Sequence, residues 1–321
     1  MKSLFFLLLV LSFHFSVSAS PLSHAPIGVM GDHVHGQGEF MISLRQMGMM
    51  MEEMGTSTNI LGDGEYSQRI KPREMDSQMT MLGGMYGITD NLTFMFMGSY
   101  VKRSMDLYNA MTDVSFETES KAQGDLKLST LYDFLSSSSH RLIGRFGMSV
   151  PTGSIKENDE IPGMGETRLP YPMQIGSGTW DPSLALTYVY QGSKISTGVQ
   201  ADYLIRTGKN AEEYRLGNEF LFNTWFAVGL AEWVSTSFRL NWKWRDNIEG
   251  KDKGLSVMPA MNPTANTENW GGNWLNAFVG FNFSFLGQRL ALEYGQVVVQ
   301  NLHGPQMLQS SQYMLGWQYL F

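Results

Sequence analysis

Apolar and polar residues alternate along most of the chain after its first twenty residues. In the stretch 178–191, GTWDPSLALTYVYQ, the residues Leu184, Leu186 and Tyr188 share one parity, while Asp181 and Thr187 share the other. The stretches 194–206 and 235–245 repeat this period of two. Successive side chains of a β-strand point to opposite faces, so this pattern predicts strands with one apolar and one polar face.

Two architectures produce this alternation. In a soluble β-sandwich the apolar faces form a core and the polar faces meet water. In a membrane β-barrel the apolar faces meet lipid and the polar faces line the lumen. The alternation by itself is compatible with both.

The number and length of the predicted strands favour the barrel. About twelve segments of roughly ten to fourteen residues alternate in this way, whereas a tilted membrane strand needs about 9–11 residues and strands in soluble proteins average about 5–6. Bacterial single-chain barrels have an even number of strands. The segments lie near 38–50, 74–87, 91–103, 123–134, 140–152, 178–191, 194–206, 214–229, 233–245, 271–285, 288–300 and 311–321.

The connections alternate between short and long, as in outer-membrane barrels with tight periplasmic turns and longer external loops. The short connections are 88–91, 136–140, 191–194, 229–233 and 286–289. The long connections are 51–73, 104–122, 153–177, 207–213, 246–270 and 301–310. We therefore predict an all-β, transmembrane, antiparallel up-and-down β-barrel of about 12 strands.

The N-terminus has the features of an exported protein. Lys2 precedes a short apolar core, and the small residues Val17-Ser18-Ala19 suit a signal peptidase. We predict a signal peptide over 1–19, a periplasmic N-terminal segment and candidate plug over 20–37, and the barrel over 38–321. Beyond Ala19 no run of about 18 apolar residues predicts a membrane-spanning helix.

The last predicted strand carries large apolar or aromatic residues at every second position, ending on an aromatic. These residues are Tyr313, Leu315, Trp317, Tyr319 and Phe321. The stretch resembles the C-terminal signal of bacterial outer-membrane proteins. That resemblance implies recognition by the barrel-assembly machinery and residence in the bacterial outer membrane, in contact with its lipid.

Charged residues in the predicted strands must turn inward, because a charge in lipid costs several kcal/mol. Both signs are present, so the lumen is either a paired, water-filled scaffold or a selective constriction. Arginine predominates, which favours anionic or polarisable solutes. The predicted lumen-lining residues are Asp125, Lys127, Arg141, Arg145, Asp202, Arg206, Arg215, Glu219, Arg239, Lys243, Arg245 and Glu293.

The chain has 23 methionines, most of them before residue 115, and several share the parity of polar strand residues. Thioethers together with imidazoles suit copper, above all Cu(I). The alternative is a flexible apolar lining, or packing between the N-terminal segment and the wall. The candidate metal ligands are His24, His33, His35, Met47, Met49, Met95 and Met97.

Several function classes are disfavoured by the sequence. Cysteine is absent, which excludes disulfides, thiolate metal sites and a cysteine nucleophile. The formal net charge is -7 and no basic run occurs, so nucleic acid is not an expected partner. Neither His140 nor His303 is placed on a strand with a carboxylate two residues away, and no nucleophile elbow is present. We predict no catalytic residues and no enzyme activity.

Four stretches resemble bacterial outer-membrane proteins of the phenol-degradation MetA-pathway group. They are HAPIGVMGDHVHGQGEFMISLRQMGMMME (24–52), GDLKLSTLYDF (124–134), SVPTGSIKEND (149–159) and LPYPMQIGSGTWDPSLALTY (169–188). The resemblance implies an outer-membrane transporter of small, often aromatic or hydrophobic, compounds. The expected function is thus a monomeric channel for small molecules, and the alternative is a plugged barrel that binds copper through its N-terminal His/Met cluster.

Overall fold

The computed structural model describes residues 20–255 and 257–321, so the predicted signal peptide lies outside the described residues. The strands are β1 Phe40–Ser57, β2 Asn59–Leu61, β3 Ile70–Thr89, β4 Leu92–Asn109, β5 Val114–Gln123, β6 Leu126–Ser136, β7 His140–Val150, β8 Asn158–Ile161, β9 Gly165–Arg168, β10 Asp181–Gln191, β11 Ile195–Leu204, β12 Tyr214–Arg215, β13 Glu219–Ala231, β14 Val234–Arg245, β15 Glu249–Gly250, β16 Gly272–Phe285 and β17 Gln288–Leu320. Short 3₁₀ helices cover Asp63–Glu65, Tyr171–Met173, Lys253–Leu255, Met258–Ala260 and Pro263–Ala265.

The long strands form one closed antiparallel barrel, as predicted. Its order is β1-β3-β4-β6-β7-β10-β11-β13-β14-β16-β17, and β17 pairs back onto β1. Two short strands lie outside this ring: β2 pairs with β1, and β5 pairs with β4. The pairs β8–β9 and β12–β15 form two further small sheets in the long loops.

The 33-residue strand β17 fills two positions in the ring. Its first half pairs antiparallel with β16 as far as Leu302, and its second half pairs antiparallel with β1 from Leu302 to Leu320. A closed ring in which every neighbour is antiparallel needs an even number of positions, so β17 must reverse direction near Leu302. The Gln300 side chain bonds the backbone of Gln309 on the second half, which places the two halves side by side.

The barrel wall is apolar outside and polar inside. Large side chains on its outer face are half exposed, among them Leu82, Phe146 and Leu184. Gln200 and Asn223 are buried on the inner face. This is the reverse of a soluble protein, and it matches a barrel whose outer face meets lipid.

The barrel closes where β1 meets the end of β17. Met41 pairs with Leu320 and Leu44 with Trp317, and the Phe321 backbone N–H donates to the Phe40 carbonyl oxygen at 2.8 Å. The rings of Phe40 and Phe321 lie 6.0 Å apart. The predicted final strand therefore forms one side of the closing seam.

The strands extend further at the long-loop end than the sequence pattern predicts. β1 continues to Ser57, β3 begins at Ile70, and β4 continues to Asn109, where β5 pairs with it. Beyond the lipid layer the outer face need not be apolar, so residues such as Glu74 interrupt the alternation without ending the strand.

The long loops fold over their end of the barrel. Leu169 and Met173 of the loop between β7 and β10 pack against Met75 and Met105 of the wall. The Arg103 guanidinium donates to backbone carbonyl oxygens of this loop at 2.6 and 2.7 Å. Among the described residues, no helix is long and apolar enough to cross a membrane.

Candidate functional site

Residues 20–37, called the plug below, run through the barrel interior at the end that carries the short turns. The Pro21 carbonyl oxygen accepts from Ser235, just after the turn between β13 and β14. The chain then rises into the lumen, where Gln200 donates to the Met30 carbonyl oxygen at 2.8 Å. It returns to the rim, where the His35 backbone N–H donates to Thr93 at 2.8 Å. The plug is thus a loop that enters and leaves at one end.

Apolar side chains of the plug pack against the wall. Ile27 is buried, and its side chain covers Gly316 of β17. Val29 packs with Val189 and Trp225 in one cluster. Met30 and Val34 pack against a second cluster of wall residues, which consists of Met41, Met85, Met95, Leu131 and Ile143. These contacts remove apolar surface from water, which contributes about 25 cal/mol per Å² buried.

Buried arginines hold the plug backbone. Arg45 donates to the Ile27 carbonyl oxygen at 2.9 Å, and Arg289 donates to the Ala25 carbonyl oxygen at 2.5 Å. Backbone carbonyls are strong acceptors that must be satisfied when buried. The inward arginines supply these donors, so they fix the path of a segment that has no regular secondary structure.

Gly28 of the plug contacts a buried ion pair of the wall. Its N–H donates to the Glu293 carboxylate at 2.6 Å, and Arg239 pairs with the same carboxylate at 2.9 Å. A Cβ at position 28 would lie 2.2 Å from the Arg239 guanidinium. Only glycine fits here without displacing the ion pair.

A layer of ion pairs lines the lumen on β7, β10, β11, β13 and β14. Arg145 pairs with Asp202 at 2.6 Å. Arg206 contacts Asp181 at 2.7 Å and Glu219 at 3.4 Å. Lys243 pairs with Glu219 at 2.8 Å. All of these side chains lie at most partly exposed, so the pairs stiffen an interior that contains both signs of charge.

Several inward cations have no carboxylate within 4.0 Å among the described residues. Arg45, Arg141 and Arg289 instead donate to backbone carbonyl oxygens of the plug. Within the part of the chain that the structure describes, Arg103, Lys127 and Arg245 have no carboxylate partner and do not bind the plug. Lys127 is exposed although Ser129 and Leu131, on the same face of β6, are buried. An exposed side chain on the inner face indicates open space in the lumen. The Arg245 guanidinium lies 4.0 Å from the centre of the Trp270 ring, a cation–π contact.

Solved structures of outer-membrane proteins are similar to this chain. The COG4313 outer membrane channel from Pseudomonas putida F1 is 13% identical, with a TM-score of 0.63 over 91% of this chain and 99% of that channel. The translocator domain of the autotransporter NalP from Neisseria meningitidis is 10% identical, with a TM-score of 0.48 over 89% of this chain and 90% of that domain. A Pseudomonas aeruginosa FadL homologue is 9% identical, with a TM-score of 0.40 over 88% of this chain and 90% of that homologue.

The chain has the fold of a bacterial outer-membrane channel. No family model matches it, and no curated protein is similar to it in sequence. The resemblance to the phenol-degradation MetA-pathway group therefore stays a prediction.

Most of the predicted lumen residues lie on the inner face of the barrel strands. Those on barrel strands are Lys127, Arg141, Arg145, Asp202, Glu219, Arg239, Lys243, Arg245 and Glu293. Asp125 directly precedes β6 and accepts from Gly153 and Ser177, so it supports the loop between β7 and β10. Arg206 follows β11 and still points into the ion-pair layer.

Arg215, a predicted lumen-lining residue, lies outside the barrel wall. It lies on β12, pairs with Glu249 of β15, and belongs to a loop sheet and not to the wall. The loop strand β12 alternates with the same period of two as β13, so the sequence pattern predicted one continuous strand over both. Arg45, Asp181 and Arg289 are also buried on the inner face, as their parity along the strands indicates.

The structure separates the predicted metal ligands into two sets. His24, His33 and His35 come together in the plug, beside Asp32. Met47 and Met49 lie on β1, opposite Met314 and Gln312 of β17. Met95 belongs to the apolar cluster against which Val34 packs, and Met97 lies opposite Lys127 of β6. The four methionines are therefore spread along the barrel wall.

Proposed function

We propose that this barrel resides in the bacterial outer membrane as a monomer and conducts small molecules through its lumen. The observation that carries the proposal is the closed barrel with an apolar outer face and a charged inner face. This arrangement suits aqueous passage across lipid.

The charges of the lumen favour anions. Each carboxylate of the ion-pair layer already contacts an arginine or lysine, whereas Arg103, Lys127 and Arg245 are not balanced in this way. An excess of fixed positive charge lowers the energy of an anion and raises that of a cation. Arg245 beside Trp270 also offers a flat, polarisable surface to a planar solute. Small aromatic acids combine both properties and agree with the compounds implied by the MetA-pathway resemblance.

The channel is closed at rest by its own chain. The plug fills the short-turn end, whereas the loop between β7 and β10 packs against the wall at the other end. Conduction therefore requires displacement of the plug, while the ion-paired wall keeps its shape. Assembly depends on the seam between β1 and the end of β17, where the barrel-assembly machinery would recognise the aromatic residues Tyr319 and Phe321.

Solute flux into liposomes tests this function. The full chain and a variant lacking residues 20–37 are purified and reconstituted, and swelling is compared in benzoate, in benzylammonium and in a neutral sugar of similar size. We expect the fastest swelling in benzoate. No permeation by any of the three would rule out a conducting role, and faster entry of benzylammonium would overturn the assigned selectivity.

A further inference from the structure

Three histidines of the plug pack against one another inside the barrel. The ring centroids of His24 and His33 are 4.6 Å apart, and those of His33 and His35 are 4.9 Å apart, with nearly perpendicular planes. Asp32 adjoins them, and ligand atoms of His24, Asp32 and His33 all lie within 4.8 Å of one another. Four residues that ligate metals in proteins thus converge within a loop of twelve positions.

Each imidazole presents a buried nitrogen without a hydrogen-bond partner among the described residues. These atoms are His24 Nδ1, His33 Nε2 and His35 Nε2. His33 and His35 are only 6% and 5% exposed. A buried polar atom without a partner costs about 1–3 kcal/mol. Packing alone gives no reason to gather such atoms, whereas a metal ion held by His24, Asp32 and His33, whose ligand atoms lie within 4.8 Å of one another, would accept the lone pairs of both histidines.

Carboxylates contact the opposite nitrogens of two of these rings. Asp32 Oδ1 lies 2.9 Å from His33 Nδ1, and Glu39 Oε2 lies 3.6 Å from His35 Nδ1. A histidine ligand usually donates its second N–H to a carboxylate, which leaves the ligating nitrogen with its lone pair. Asp32 Oδ2 also accepts from the Ala25 N–H at 2.7 Å, and this bond joins the two ends of the segment 25–32.

We propose that His24, Asp32 and His33, with the ring of His35 beside them, bind one divalent transition-metal ion, Zn²⁺ or Cu²⁺, that fixes the fold of the plug. Imidazole nitrogens suit both ions. All of the ligands belong to the plug, so the ion would cross-link residues 24 to 33 into the shape that fits the lumen. The methionines Met47, Met49, Met95 and Met97 take no part in this site.

Metal titration of the full chain in detergent tests the site. Chelator-treated wild type should bind one equivalent of Zn²⁺ or Cu²⁺, and His33→Ala should weaken binding at least tenfold. His303→Ala removes a histidine of an external loop and should leave the affinity unchanged. A heat-modifiable band on gels establishes that each variant retains a folded barrel.

Conductance provides a second readout. Zn²⁺ or Cu²⁺ should reduce the open time of wild-type channels, and a chelator should restore it, whereas His33→Ala channels should not respond. Equal binding by wild type and His33→Ala would overturn the site. Tight binding of Cu(I) that is lost in Met47→Leu/Met49→Leu and kept in His33→Ala would overturn it in favour of a thioether site for copper.

Discussion

The Arg239 guanidinium and the Glu293 carboxylate pair at 2.9 Å although β16 lies between their strands. Gly280 of β16 lies beneath them, and a Cβ there would approach the Glu293 side chain to 2.7 Å. The pair is buried and presents the carboxylate to the N–H of Gly28. One ion pair therefore joins two strands of the wall to the plug.

Gly28→Ala should displace the plug from the wall. The new Cβ would overlap the Arg239 guanidinium, and overpacking of this kind costs about 1–3 kcal/mol. A destabilisation of the closed state by that amount raises the population of the open channel roughly fivefold to 150-fold. Single-channel recording measures this as open probability.

Gly36→Ala is the matched control, because a Cβ at position 36 would meet only the Glu39 side chain, at 3.4 Å. It should behave as wild type. An unchanged open probability in Gly28→Ala, or the same increase in both variants, would contradict the proposed role of Gly28.

Arg206→Leu should destabilise the barrel. Arg206 is the ion-pair partner of Asp181, whose side chain is 0% exposed, and breaking a buried pair costs about 3–5 kcal/mol. Urea unfolding of the protein in detergent gives the free energy of unfolding. Combining Arg206→Leu with Asp181→Asn should recover part of the loss.

The control for Arg206→Leu is Arg215→Leu, which should change the free energy of unfolding much less. Arg215 pairs with the exposed Glu249 in a loop, and exposed pairs contribute about 0–1 kcal/mol. Equal effects of the two substitutions would show that burial of Asp181 is not what makes Arg206 important.

Lys127→Glu should lower the preference for anions. One unit charge on the wall changes the energy of a permeating ion about 10 Å away by about 0.4 kcal/mol in a water-like medium. The substitution changes the charge by two units, so it should alter anion entry roughly fourfold. Reversal potentials in a salt gradient give the ratio of anion to cation permeability. Lys251→Glu, on an exposed external loop, makes the same charge change outside the lumen and should leave that ratio unaltered. A shift of equal size in both variants would locate the selectivity outside the lumen.

Removal of Phe321 should reduce the amount of assembled barrel. The Phe321 N–H bonds the Phe40 carbonyl oxygen and its ring adjoins Tyr319 at 4.6 Å, so its loss weakens the seam and the proposed assembly signal together. Heat-modifiable protein in the outer-membrane fraction is the measure. Phe285→Ala removes another exposed ring, at the end of β16, and should assemble normally. Normal yield without Phe321 would refute the signal.

The wall could be predicted from sequence because each of its residues obeys a local rule. Parity along a strand assigns Leu184 to lipid and Asp202 to the lumen without knowledge of any neighbour. The plug follows no such period: the Gly28–Glu293 contact joins residues 265 positions apart, and only the closed barrel brings them together. The histidine cluster depends on that fold too, since sequence suggested His24, His33 and His35 as ligands but gave no reason to prefer Asp32 over the methionines.

The conductance of a chain that lacks residues 20–37 tests the central claim most directly. Planar bilayers containing this variant should show large, steady, anion-preferring current steps, whereas wild type should show rare openings under the same voltage and salt. Identical currents from the two proteins, or no current from either, would contradict the account of a charge-lined channel closed by its own N-terminal plug.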